Sequence, residues 1–96
     1  MKNKINAYQS DARQEEVGFT NFERVDEAIL FESIMKTLQN RAGVEIGRKQ
    51  TGPSEDYYKC TIDGLEFTLF YDIDYGVSIY AEDSITREKI ITCFNN

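Results

Sequence analysis

Ninety-six residues, 41% of them hydrophobic and 29% charged, suit one soluble globular domain with a single modest core. An aromatic fraction of 12% and one proline exclude a disordered acidic tail, a collagen-like repeat and a low-complexity chain. Eleven Lys and Arg against seventeen Asp and Glu leave a net charge of −6, which disfavours nonspecific attachment to nucleic acid or an anionic membrane.

Residues 1–20 are polar without a sustained period and predict a loosely docked, flexible arm, with Val17, Phe19 and Phe22 packing its end onto the body. The opening Met1-Lys2-Asn3-Lys4 lacks the apolar stretch of a signal peptide. The longest apolar run, Ala28-Ile29-Leu30-Phe31, falls far short of a membrane span. A cytoplasmic protein is expected.

From Val25 to Asn40 the period becomes helical, with Ala28, Phe31, Ile34, Met35 and Leu38 on one face and Ile29 and Leu30 widening it. Asp26 and Glu27 complement the helix dipole at its start, and Gly43 is the expected stop. The period then changes to two. Val44–Arg48 reads as a short strand, and Gln50–Glu55 as a turn. Tyr57–Ile62 and Leu65–Tyr71 flank Asp63-Gly64, a dipeptide that favours the type I′ hairpin turn. This register sets Ile62 against Leu65, Cys60 against Phe67 and Tyr58 against Leu69. Tyr57, Lys59, Thr61, Glu66, Thr68 and Phe70 then share the opposite, outer face. Val77, Ile79 and Ala81 extend the inner face in a further strand, with Ser78 and Tyr80 outside. Ser84 is the expected cap of a last helix carrying Ile85, Ile90, Ile91 and Phe94.

The order predicts an α+β two-layer sandwich: an antiparallel meander of three to four strands, covered by an N-terminal and a C-terminal helix. Neither repeats nor a linker suggests a second domain within residues 1–96.

Chemistry-bearing motifs are few. Histidine is absent, which removes the commonest general base and metal ligand. Cys60 and Cys93 cannot supply four zinc ligands and are expected to be small buried hydrophobes. Asp72 to Asp83 has acids at its first, third and last places, but Gly76 and Val77 break the calcium-loop pattern, leaving at most adventitious ion binding at Asp72 and Asp74. Neither phosphate-binding glycine motif occurs. No cofactor, metal or enzymatic activity is expected.

Charge is the informative feature. Residues 54–83 hold Glu55, Asp56, Asp63, Glu66, Asp72, Asp74, Glu82 and Asp83 against Lys59 alone, whereas the rest of the chain is nearly neutral. Turn chemistry and edge-strand protection would also enrich acids there. The functional alternative is an acidic surface that steers a basic protein into place, with tyrosines as anchors. Glu66, Asp72, Asp74, Tyr75, Tyr80, Glu82 and Asp83 are the candidate partner-binding residues. The arm, through Phe19 and Phe22, could instead cover the outer aromatics.

Size, acidity, lack of histidine and the helix–meander–helix order, with the string Asp63-Gly64-Leu65-Glu66-Phe67-Thr68-Leu69 running on to Tyr75–Asp83, resemble small bacterial immunity proteins. These are cytosolic antidotes encoded beside contact-dependent or other polymorphic toxins. The resemblance implies a non-enzymatic inhibitor that occludes a basic toxin domain, often a nuclease. The same charge would serve a phage-encoded mimic of nucleic-acid phosphates, such as an anti-CRISPR protein. A structural or adaptor subunit that self-associates into a homo-oligomer is a third reading.

Overall fold

The computed structural model describes residues 5–21, 25–72, 74 and 76–95. In chain order the elements are β1 (Ile5–Gln9), β2 (Glu16–Asn21), α1 (Glu27–Asn40), β3 (Val44–Thr51), β4 (Glu55–Ile62), β5 (Leu65–Asp72), β6 (Gly76–Tyr80) and α2 (Ser84–Asn95). The fold is α+β, with one six-stranded sheet in the order β1-β2-β6-β5-β4-β3 and every pair antiparallel.

The strand count corrects the expected three to four, and the additional strands come from the supposed arm. Ile5 and Ala7 alternate with Asn6 and Tyr8, and Val17 and Phe19 alternate with Gly18 and Thr20. Ile5, Ala7 and Val17 are buried in the core, and Phe19 packs against it. Short strands of small or interrupted apolar residues carry a weak period, so the pattern reads as irregular until a neighbouring strand supplies the pairing. The hairpin docks on β6, beyond the meander, through Glu16↔Tyr80 and Val17↔Ile79. Phe22 lies outside the described residues.

The Asp63-Gly64 hairpin forms as its sequence dictates. Asp63 and Gly64 both have positive φ, 53° and 83°, and the expected partners Ile62↔Leu65, Cys60↔Phe67 and Tyr58↔Leu69 are paired. β3 forms one edge of the sheet. Its register shifts between Ile46 and Lys49, a bulge where Gly47 lets the Lys59 carbonyl approach its Cα directly. The bulge and the charges of Glu45, Arg48 and Lys49 blunt this edge against further pairing.

Both helices cover the inner face. The core joins Leu30, Ile34 and Leu38 of α1, Ile90 and Phe94 of α2, and Cys60, Ile62, Phe67, Leu69, Val77 and Ile79 of the strands. Phe31 stacks on Tyr71 at 5.0 Å between centroids, and Phe19 meets Phe94 edge-on at 4.9 Å. The buried stripe of α1 is rotated from the expected one: Leu30 replaces Ala28, which is exposed, and Ile29 is 51% exposed. Spacing of four along Leu30, Ile34 and Leu38 outweighs the more numerous apolar positions beside it. In α2 the stripe is Thr86, Ile90 and Phe94, while Ile85 is 57% exposed.

Two expected helix ends are corrected. Helix α1 stops at Arg41, which turns extended (φ −87°, ψ 123°), and Gly43 follows in the turn to β3. The cap of α2 is Asp83, not Ser84, because Asp83 Oδ1 accepts the Ile85 N–H at 3.0 Å. Cys60 is buried and Cys93 half-buried, both as free thiols whose pKa is pushed up by burial. No helix among the described residues is long and apolar enough to cross a membrane.

Candidate functional site

With both helices on the inner side, the outer face of the sheet has no covering element among the described residues. The N-terminal hairpin lengthens the sheet instead of folding over it, and Phe19 points to the core. Tyr57 and Phe70 therefore meet at 5.9 Å on an open face, and Tyr80 is 41% exposed between Glu16 and Thr68. Tyr8 lies over Gly18, its Cζ only 2.6 Å from where a Cβ would stand, so the glycine provides the seat for the ring.

The acidic residues do not gather as one flank. Antiparallel pairing places Glu66 beside the Asp63-Gly64 turn and Asp72 at the far end of β5, roughly 20 Å away at about 3.3 Å per residue. Tyr80 pairs with Thr68 in the middle of β5 and with Glu16 on β2, and Glu82 and Asp83 follow it towards the Glu66 end. Asp74 stays with Asp72, whose Oδ1 accepts the Asp74 N–H at 2.7 Å. Tyr75 lies outside the described residues.

Several carboxylates have structural duties. Asp63 accepts from Arg41 Nη1 at 2.8 Å and Lys89 Nζ at 3.0 Å. The hydrogen bond from Arg41, then that from Lys89, holds its pKa well below the usual carboxylate range, at about 2. Asp56 lies 3.6 Å from Lys49, and Glu16 lies 3.1 Å from Arg13. Asp83 is occupied as the helix cap. Glu82 is exposed, and its carbonyl accepts from Arg87 Nη1 at 3.1 Å.

At the Asp72 end a cleft of about 510 Å³ opens on the outer face. Tyr8, Gly18, Phe70 and Ser78 line its surface side, while Phe19, Val77 and Leu30 line its deeper part. Four carboxylates, Glu16, Glu27, Glu55 and Asp72, surround it with one guanidinium, Arg13. Such a volume, with apolar walls and a few polar groups, falls in the range that binds ligands or inserted side chains.

Asp72 is the one described candidate from the sequence that lines this cleft. Glu55 was expected in a turn over Gln50–Glu55; β3 instead runs on to Thr51 and β4 begins at Glu55, because the hairpin register continues to pair Glu55 with Asp72. Glu27 was not legible, because α1 is brought over Gly76 only by tertiary packing; a Cβ on Gly76 would strike the Glu27 carboxylate. Glu16 and Tyr8 depend on the hairpin that the sequence pattern hid. No three acidic or thiol side chains among the described residues converge on a point that would hold a metal ion.

The chain matches no protein-family model, no curated protein and no solved structure.

Proposed function

We propose that this chain is a non-enzymatic inhibitor of the immunity-protein kind, which captures a basic toxin domain in the cytoplasm through the outer face of its sheet. The observation that carries the reading is the cleft at the Asp72 end, where four carboxylates against one guanidinium rim an aromatic floor on an uncovered face. Rings that can be desolvated, rimmed by charge, have the anatomy of a protein interface. Negative charge around a concave surface speeds encounter with a cationic partner.

Binding is centred on Glu55, Asp72 and Asp74, with Tyr8, Tyr57 and Phe70 as the ring surface. Glu66 and Glu82 form an outlying second contact, and Tyr80, paired with Glu16, stands between it and the centre.

The test uses the basic protein that co-purifies with the chain from its native cell. Equimolar wild-type chain should abolish that protein's toxic activity, and the double substitution Asp72→Lys with Asp74→Lys should release it. A partner that is acidic, or one still inhibited by the charge-reversed chain, overturns the reading. A stable homo-oligomer occluding the outer face would favour the adaptor reading instead. Competition with DNA or RNA for the partner's groove would favour the nucleic-acid mimic.

A further inference from the structure

Strands β2 and β6 share only two pairs, Glu16↔Tyr80 and Val17↔Ile79. Yet β2 continues to Asn21 and β6 begins at Gly76, so the ladder forks where the two strands still run side by side. Neighbouring hydrogen bonds fix which backbone groups face the fork. The Ala81 N–H donates to the Glu15 carbonyl at 2.8 Å, which makes Val17↔Ile79 the hydrogen-bonded pair of this ladder. By alternation, Val77 directs its N–H and C=O towards β2. On the other side, Ala7 gives both backbone groups to Asn95, each at 2.9 Å, and so turns them away from β2. Ala7 and Phe19 are partners, so Phe19 directs its own N–H and C=O towards β6. Backbone groups of Phe19 and Val77 thus face each other across a gap where the ladder has ended.

The cleft occupies this gap. Its deeper walls are apolar, from Phe19, Val77 and Leu30, and Glu27, Glu55 and Asp72 stand around it. Carbonyl and carboxylate acceptors above apolar walls suit a side chain with an apolar stem and a cationic head bearing several donors. Arginine fits best, because its planar head spreads five N–H donors and can lie against Phe70 or Tyr8. A metal ion does not fit, since the carboxylates do not converge on a point. Among the described residues, Arg87 is engaged with Gln9 and the Ala81 carbonyl, and Arg13 stays on the cleft's rim, paired with Glu16.

We propose that the fork between β2 and β6 is a socket for one arginine side chain of the basic partner. This rests on the reading of the outer face as the partner-binding surface, and it names what that surface recognises.

The test is an NMR titration of the isotope-labelled chain with N-acetyl-arginine amide, its lysine and citrulline counterparts, and polylysine. Arginine amide should move the Phe19, Val77 and Ser78 amide signals saturably, lysine amide should bind more weakly, and neutral citrulline should leave them in place. Glu27→Gln with Glu55→Gln should weaken arginine binding by about tenfold or more, as loss of charged hydrogen-bond acceptors does, while the dispersed spectrum shows an intact fold. Arginine and lysine amides shifting scattered surface signals equally, or shifting none, would overturn the socket. If polylysine still binds the outer face with steep salt dependence, only the socket falls. If polylysine also fails to bind, the acidic-face reading falls with it.

Discussion

The side-chain carboxamide of Asn95, at the end of α2, makes two 2.9 Å hydrogen bonds to the backbone of Ala7, donating to its carbonyl and accepting from its N–H. It takes the place of a neighbouring strand along the outer side of β1. At Ala7, edge groups that would otherwise face outward unpaired are satisfied from within the chain. Asn95→Ala should therefore cost about 1–3 kcal/mol, the usual penalty for stranding partly buried polar groups. Asn95→Asp should not restore the loss, because a carboxylate cannot donate to the Ala7 carbonyl. Urea midpoints, together with faster hydrogen exchange at the Ala7 amide, check both expectations.

Asp63 ties the β4–β5 turn to Arg41 after α1 and to Lys89 in α2. Its pKa is lowered from 3.8 to about 2 in the folded chain. A carboxylate whose pKa falls on folding stabilises the native state above its unfolded value, and the contribution disappears as pH drops through the folded value. Stability should thus fall between about pH 4 and pH 2. Asp63→Asn should flatten that part of the profile without disturbing the hairpin, since Asn-Gly also suits a type I′ turn. Thermal melts across this range in low salt report the difference.

Asp83 serves α2 as its cap. Asp83→Ala should lose about 1 kcal/mol of stability, while Asp83→Ser or Asp83→Asn should retain most of it. Partner binding should follow folding in this series, with no separate effect of removing the charge. A binding loss in a fully stable Asp83→Asn variant would instead return Asp83 to the interface.

Helix faces can be tested the same way. Ile34 and Leu38 are fully buried, so Ile34→Ala and Leu38→Ala should each cost about 2–5 kcal/mol. Ile29 and Ile85 are more than half exposed, and their alanine variants should stay within about 0.5 kcal/mol of wild type. Equilibrium unfolding of the four variants checks this contrast.

Legibility in the sequence followed interaction range. The β4–β5 hairpin was readable near its turn, because Asp63-Gly64 fixes the partners that follow from it, whereas its far end was not: Glu55, with the polar look of a turn, begins β4 opposite Asp72. Both helices were readable as elements but not in rotation, since Ala28 and Leu30 are separated only by what the sheet presents beneath them. The β1–β2 hairpin escaped because its inward residues are few and partly small, and the contacts that define it lie at the other end of the chain, at Ile79, Phe94 and Asn95. The candidate site shows the same division. Asp72 and Asp74 were marked by local charge, whereas Glu16, Glu27 and the fork required three distant elements to meet. Glu66 stands at the other end of β5 from Asp72, a separation that charge counted along the chain does not carry, because such a count ignores the length of a strand.

The most direct measurement is the association rate of the chain with its co-purified basic partner, followed from low to physiological salt. Wild type should associate rapidly and slow steeply as salt rises, and Asp72→Lys with Asp74→Lys should slow low-salt association by about tenfold or more. The matched reversal Glu66→Lys with Glu82→Lys, at the opposite end of β5, should have the smaller effect. A rate indifferent to salt and to both reversals would contradict the account.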